Sequence, residues 1–239
     1  TFNFELSCFK RYFLLDYYSK VFDINYFWLS DSDLLIVSNL KYLSQCLHEQ
    51  SYLAALSWQP KDTPYNWAYS PHLSFWTNDA ISSFTNFLID FYDNIPSEIF
   101  DMWNYFKTNQ TGGGICDMTL LYVWAQNKLI YNLAKAHLDG FPLHDHNMNS
   151  PINYMNDQFK MNPFFKIKNL TNDCSKIYFH DVISRTFYQA GSLHFQGSAK
   201  IFIEQFMHSK NTNTISMLPF SLRPNSYKFF LQRVFSKIF

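Results

Sequence analysis

The sequence contains little charge. Lys, Arg, Asp and Glu make up 16% of its 239 residues, and the 19 basic side chains equal the 19 acidic ones. A protein that binds nucleic acid through its phosphates needs a basic excess, so we expect no nucleic-acid partner. Because hydrophobic residues make up 47% of the chain, disorder is not expected either. The length suits one domain with a sizeable core.

Cysteine is also scarce. The four cysteines lie far apart, and no Cys-x-x-Cys pair occurs, which excludes zinc and redox sites of that type. Reduced thiols are expected, as in a cytoplasmic protein. No apolar run is long enough to span a bilayer. We therefore expect a cytoplasmic location.

The stretch from Phe27 to Ile36 is apolar except at its centre, where Asp31 and Asp33 interrupt it. This pattern predicts a buried strand that ends at a polar turn, with both carboxylates at a sheet edge where ligands bind. Carboxylates this close repel each other unless a cation lies between them, and Mg²⁺ and Mn²⁺ prefer oxygen ligands. The alternative is a turn in which both aspartates accept hydrogen bonds from nearby backbone amides.

A second stretch, His194-Phe195-Gln196-Gly197-Ser198-Ala199-Lys200, joins an imidazole, a glycine and a cation suited to phosphate. Together, the Asp-Ser-Asp and the His-Phe-x-Gly-x-x-Lys resemble the retaining glycosyltransferases of family 8, which include glycogenin and bacterial lipopolysaccharide galactosyltransferases. The resemblance implies that Asp31, Asp33 and His194 hold Mn²⁺ (or Mg²⁺) against the diphosphate of a nucleotide-sugar. It also implies that Gly197 and Lys200 face the phosphates.

The sequence departs from the family's pattern at two places. Ser30 stands where the family usually has a hydrophobic residue, and Ile201-Phe202 stands where Pro-Trp usually follows the lysine.

The resemblance implies an α/β fold of the GT-A type, with a mixed central sheet flanked by helices. In the family, strands and loops ahead of the Asp-x-Asp hold the nucleoside, yet only thirty residues precede Asp31. We therefore expect the natural protein to extend N-terminally, with residues 1–225 forming a catalytic domain that is partial at its N-terminus. An apolar sheet edge should be exposed as a result.

Apolar periodicity predicts several further elements. A helix is predicted over residues 6–22, with Phe9, Phe13, Leu14, Tyr17 and Val21 on its apolar face. Further helices are predicted over residues 39–47, 78–92 and 96–106, the second of them capped by Thr77, and a strand over residues 52–58.

Residues 59–69 are rich in turn-forming residues and lead into Ser70-Pro71-His72-Leu73-Ser74-Phe75-Trp76, which we interpret as a loop. Loops that follow sheet strands commonly form pocket walls. Trp67, His72 and Trp76 are therefore predicted to contact a sugar, although a packed loop aromatic is the commoner role for such residues.

The glycines at positions 112, 113 and 114 precede Asp117, which is predicted to lie in the first turn of a helix. No Gly-Lys-Ser/Thr follows, so this is not a Walker loop. In glycosyltransferases of this general fold, an acidic residue at such a junction commonly faces the acceptor or the reacting sugar carbon. Asp117 is predicted to be catalytic on that ground, and the alternative is a helix-capping role.

His144-Asp145-His146 offers ligand types that zinc prefers. No third ligand lies at a zinc-site spacing, so we expect Asp145 to lie near an acceptor instead.

The C-terminal segment, residues 226–239, is predicted to form an amphipathic helix in which Lys228, Arg233 and Lys237 flank an aromatic face. Such a helix either contacts the inner surface of a membrane peripherally or packs on the core.

These expectations describe a metal-dependent glycosyltransferase that moves a sugar from a nucleotide-sugar donor to a saccharide or lipid-linked acceptor. One alternative is a phosphotransferase of the haloacid dehalogenase type, with Asp31 as its nucleophile. That chemistry usually requires Thr or Val where Leu35 stands, together with a later acidic pair, and no Asp-Asp occurs. A catalytically silent sugar-binding protein of the same fold is the other alternative.

Overall fold

The computed structural model describes residues 2–59, 64–109, 114–135, 141–153, 158–173 and 176–203, with side chains described from Glu5 onward. The helices in these ranges are α1 (Phe2–Val21), α2 (Leu40–Glu49), α3 (Asn78–Asp93), α4 (Ser97–Asn109) and α5 (Asp117–Ala125). A 3-10 helix, η1, covers Gly197–Ile201.

The described strands form two sheets. They are β1 (Tyr26–Ser30), β2 (Leu34–Ile36), β3 (Ala54–Ser57), β4 (Ser70–Thr77), β5 (Ile130–Asn132), β6 (Leu143–His144), β7 (Leu170–Asp173), β8 (Lys176–His180) and β9 (Phe187–His194). The first sheet has the order β1-β4-β3-β5, and the second has the order β2-β9-β8-β7, with β6 also paired to β9. The β3–β5 and β6–β9 pairs are parallel and the others antiparallel. The chain is thus α/β, with mixed sheets flanked by helices.

The two carboxylates of the Asp-Ser-Asp lie where the chain passes from one sheet to the other. Strand β1 belongs to the first sheet and β2 to the second, and residues 31–33 connect them. The amide of Asp31 donates to the carbonyl of His72 in β4 at 2.8 Å, and the amide of Phe195 donates to the carbonyl of Asp33 at 2.9 Å. Each end of this turn is therefore bonded to a different sheet.

Several predicted elements are confirmed. Helix α3 begins directly after Thr77, whose hydroxyl accepts a hydrogen bond from the amide of Ala80. Helix α2 begins after Asn39, whose side chain caps it through the amide of Lys41. Both caps use a short polar side chain to satisfy an amide that the first helical turn leaves unpaired.

The prediction of a loop over residues 70–76 is wrong, because these residues form most of β4. This strand lies between β1 and β3, and Ser70 through Trp76 are all buried. Pro71 misled the sequence interpretation, since proline disfavours a central strand. Here the β3–β4 register is irregular between Ala55 and Ser57, the residue that pairs with Ser70 beside Pro71.

The predicted apolar face of α1 is wrong as well. Leu14, Tyr17 and Val21 are exposed, whereas Tyr12 is completely buried. The inward face is partly polar because Asp16 accepts hydrogen bonds from the hydroxyls of Ser82 and Thr85 on α3. Side-chain hydrogen bonds, as well as apolar burial, set the rotation of this helix.

Two sequence predictions lie outside the described residues: the C-terminal helix over residues 226–239, and the glycines at positions 112 and 113. Among the described helices, none combines the length and the apolar character needed to cross a bilayer.

Candidate metal centre

Asp31, Asp33 and His194 converge at the meeting point of the two sheets. Each offers one ligand atom, and these atoms all lie within 4.8 Å of one another. His194 ends β9 and pairs with Leu34 of β2, which places its ring beside the turn that carries the aspartates. Ligands bound to one ion at about 2 Å each must converge in this way, so the expected convergence of the three residues is confirmed.

The ring of His194 is held in one orientation. Its Nδ1 lies 2.6 Å from the carbonyl oxygen of His146 and must donate, because a carbonyl only accepts. The other nitrogen, Nε2, lies 3.6 Å from Oδ1 of Asp33. Metal-binding histidines usually donate the second ring N–H to a carbonyl or carboxylate in this way. His194 therefore presents Nε2 to the carboxylates.

The environment of Asp31 disfavours its negative charge. Burial raises the pKa of this carboxyl, and the neighbouring Asp33 raises it further, against the lowering effect of the Arg11 guanidinium. A divalent cation would relieve the repulsion between the two carboxylates. The three side chains thus have both the spacing and the donor types of a site for a hard divalent ion.

Lys200 is paired with one of these carboxylates, that of Asp33. Its Nζ is 3.0 Å from Oδ2 of Asp33, and its side chain is 56% exposed. Helix η1, which begins at Gly197, brings the lysine back towards the aspartates. Gly197 has φ +58°, and no described atom lies within 4 Å of where its Cβ would be. Glycine suits this position because of its backbone conformation.

Arg11, which sequence reasoning did not select, connects Asp117 to the metal group, the name used below for Asp31, Asp33 and His194. Its Nη1 donates to Oδ1 of Asp31 at 3.2 Å, and its Nη2 donates to Oδ2 of Asp117 at 2.7 Å. The hydroxyl of Tyr12 donates to the same Asp117 oxygen at 3.1 Å. Burial raises the pKa of Tyr12, which keeps it protonated as a donor. The local sequence around Arg11 is the same as that of a solvent-exposed helix residue. Its role can be recognised only from the way α1 packs on the rest of the protein.

Asp117 lies in the first turn of α5, as predicted. The capping alternative does not fit, because the N-cap is Cys116, which makes no side-chain cap hydrogen bond, and the side chain of Asp117 contacts Arg11 and Tyr12. Its carboxylate is mostly buried, at 8% exposure. The catalytic role of Asp117 stays a prediction.

Three of the residues predicted to contact substrate are buried instead. Trp76 is in the core, where its ring stacks on Trp124 at 5.5 Å. Asp145 is fully buried and its Oδ1 is 2.5 Å from Nζ of Lys168, so it cannot reach an acceptor. His72 is 1% exposed because it belongs to the central strand β4. All three therefore act within the protein.

Trp67 is half-buried and remains a candidate for contact with a ligand. It stacks on Tyr122 with ring centroids 5.6 Å apart. The two rings line an open, mostly apolar cavity of about 270 Å³, together with Pro96, Glu98, Ile99, Val123 and Gln126.

Comparisons with family models, curated proteins and solved structures find no match to this chain. The functional assignment therefore rests on the residues and geometry of the site.

Proposed function

We propose that this chain is a metal-dependent glycosyltransferase that moves a sugar from a nucleotide-sugar to a saccharide or lipid-linked acceptor, on a fold of the GT-A type. The observation that carries the proposal is the convergence of Asp31 and Asp33 with the sequence-distant His194, whose ligand atoms lie within 4.8 Å of one another, with Lys200 paired to Asp33. Two carboxylates, an imidazole and a lysine are the groups needed to bind a diphosphate through a cation.

The donor set fits Mn²⁺ or Mg²⁺. Mn²⁺ accepts both carboxylate oxygen and imidazole nitrogen, and Nε2 of His194 faces the carboxylates with its partner nitrogen already bonded. When bound, the ion would act as a Lewis acid that stabilises charge on the departing nucleoside diphosphate.

The protein's own residues supply the remaining roles. Lys200 is exposed enough to turn from Asp33 to a phosphate oxygen. Asp117 would orient the sugar or the acceptor hydroxyl, held in place by Arg11 and Tyr12. The Arg11 bridge would keep the metal group and Asp117 in fixed register, so that the leaving group and the acceptor are positioned together.

The dehalogenase alternative agrees less well with the described structure. The nucleophilic aspartate of that class follows a strand in a parallel sheet, whereas the described partner of β1 is the antiparallel β4. The pairing of Asp31 with the Arg11 guanidinium makes its carboxylate a weaker nucleophile. A histidine completes the group, and two carboxylates with an imidazole are a donor set for a cation.

The test is release of nucleoside diphosphate from uridine and guanosine diphosphate sugars, with Mn²⁺ and a mixture of saccharide acceptors. Release should require the metal, stop with EDTA, and be lost in Asp33→Asn and His194→Ala. The control is Asp181→Asn, which changes a buried aspartate in the turn after β8.

Each rival predicts a different result, with a phosphate monoester offered in a parallel assay. Hydrolysis of a phosphate monoester without nucleoside diphosphate release would identify a phosphotransferase. Tight binding of a sugar without turnover would identify a silent binding protein. The anomeric configuration of any product, read by NMR, determines whether transfer is retaining.

A further inference from the structure

The segment His144-Asp145-His146 consists of residue types that bind metals, yet its first two residues are buried in the protein. His144 and Asp145 are buried at 1% and 0% exposure. One oxygen of the Asp145 carboxylate nevertheless contacts His194, the histidine that faces the two aspartates.

Three separate contacts run from residues 145 and 146 to His194. Oδ2 of Asp145 accepts from the backbone amide of His194 at 3.1 Å. The carbonyl of His146 accepts from Nδ1 of the His194 ring at 2.6 Å. The third contact is indirect: the carbonyl of Asp145 accepts from Nε2 of His72 at 3.0 Å, and the His72 ring lies on the His194 ring. The backbone, the tautomer and the ring plane of His194 are thus each held.

A buried lysine completes this arrangement. Nζ of Lys168 lies 2.5 Å from Oδ1 of Asp145, 2.7 Å from Oδ1 of Asn153 and 3.1 Å from the carbonyl of Asn147. Oδ1 of Asn153 also accepts from the amide of His146 at 2.9 Å. Lys168 is 0% exposed, so its charge is compensated by Asp145 and by these oxygens.

A buried ion pair contributes little to the stability of a fold. The free energy of desolvating the two charges offsets much of their attraction, and apolar residues of the same size often give an equally stable protein. The arrangement suits a different purpose, because it fixes one imidazole to a narrow range of positions and hydrogen-bonds its second nitrogen, as outer-shell groups do around metal-binding histidines.

We propose that residues 145 and 146, supported by Lys168, position His194 and thereby set the affinity of the site for Mn²⁺: the Asp145 carboxylate holds the His194 backbone, and the His146 carbonyl sets the tautomer of the ring. This inference rests on the proposed metal-dependent function and deepens it. Asp145 acts through His194 and does not touch the ion.

The first test measures Mn²⁺ binding by electron paramagnetic resonance, without nucleotide or acceptor. Asp145→Asn keeps the size of the side chain but replaces a carboxylate acceptor with an amide. We expect Mn²⁺ affinity to fall at least about tenfold, as for loss of an outer-shell partner. Asp181→Asn is the control, because Asp181 is 2% exposed and its hydrogen bonds go to residues 158, 183 and 184. Its affinity should stay within about twofold of the parent.

Two further measurements make the result specific. Spin-echo modulation from a directly bound nitrogen should be present in the parent and in Asp181→Asn, and reduced in Asp145→Asn. On the unmodified protein without metal, ¹⁵N NMR at pH 8 should show the His194 proton on Nδ1. This measurement needs no variant, so it decides even where Asp145→Asn fails to fold.

The outcomes separate this inference from the proposed function. If the parent binds Mn²⁺ through nitrogen and Asp145→Asn binds it equally well, the positioning role is overturned and the metal site stands. A His194 proton on Nε2 also overturns the positioning role. If the parent shows no Mn²⁺ binding at all, the proposed function fails, and the positioning role fails with it.

Discussion

The imidazole of His72 lies flat against the imidazole of His194, with ring centroids 4.2 Å apart and planes within 4° of parallel. Nε2 of His72 donates to the carbonyl of Asp145, so Nδ1 accepts from the hydroxyl of Ser70 at 2.8 Å. Both nitrogens are satisfied only in the neutral ring. His72 is therefore a fixed, uncharged support beneath the residue that faces the metal group.

The folded protein should become less stable as the pH falls, because His72 is held in its neutral form. Burial lowers the pKa of His72 well below its ordinary value near 6.5, with His194 and His146 contributing. Below about pH 6.5 the unfolded chain then binds one more proton than the folded chain. We expect the free energy of unfolding to fall by up to about 1.4 kcal/mol per pH unit below that point, until the depressed pKa is reached.

Urea unfolding at pH 7, 6 and 5 with EDTA measures this slope. His72→Gln does not titrate and should have a shallower slope than the parent, whereas the exposed His48→Gln should keep the parent's slope. Equal slopes in the parent and His72→Gln would contradict a neutral, buried His72.

Removal of Arg11 should cost both stability and activity. Arg11→Gln leaves the carboxylate of Asp117 mostly buried without its cation, and we expect a loss of about 1 to 3 kcal/mol in the free energy of unfolding. The control is Lys20→Gln, which removes a surface pair with Asp16 and should cost under about 1 kcal/mol. Urea titration at pH 7 compares them. Arg11→Lys should retain much of the stability but little activity, since one ammonium cannot replace a guanidinium that bridges two carboxylates.

Lys200 should help phosphate binding while opposing metal binding. Its ammonium already neutralises Asp33, so Lys200→Met should bind Mn²⁺ alone as tightly as the parent or more tightly. With Mn²⁺ present, its affinity for a nucleoside diphosphate should drop about tenfold or more, as expected for a charged hydrogen bond. Calorimetric titration separates the two effects, with the exposed Lys176→Met as control. A parallel loss of metal and nucleotide binding would show that Lys200 has a structural role only.

Gly191 should not tolerate a side chain. A Cβ there would lie 2.6 Å from Cε1 of His144, a buried ring whose Nδ1 pairs with the Ser192 hydroxyl. We expect Gly191→Ala to lower the free energy of unfolding by about 1 to 3 kcal/mol, as overpacking usually does. Gly114→Ala has no described atom within 4 Å of the new Cβ and should change stability by less than about 1 kcal/mol. Similar midpoints for both variants in thermal unfolding would contradict this reading of the Gly191 contact.

The sequence predicted those parts of the fold that depend on local signals. Helix α3 with its Thr77 cap follows from residue type and spacing alone. The convergence of Asp31, Asp33 and His194 was also predicted, though from a motif resemblance and not from periodicity. A resemblance of that kind carries information on tertiary contacts that no window of the sequence contains.

The features that were not predicted all depend on tertiary packing between elements that are distant in sequence. The rotation of α1 could not be predicted, because apolar residues occur around the whole helix and Asp16 faces inward through its partners on α3. Strand β4 was missed because a strand buried on both faces lacks the alternation that identifies a half-buried one. Arg11 and Lys168 were missed because their carboxylate partners are distant in sequence.

The turn over residues 31–33 connects the two sheets, and this has a consequence for incompletely folded copies of the protein. A chain whose second sheet has not yet docked carries both aspartates but has no imidazole beside them, because His194 arrives only when β9 pairs with β2. Under the proposed function, such a chain would lack one ligand of the ion, and Lys200 would be away from Asp33. Its activity should therefore depend on the pairing of β2 with β9, and copies without that pairing should be inactive.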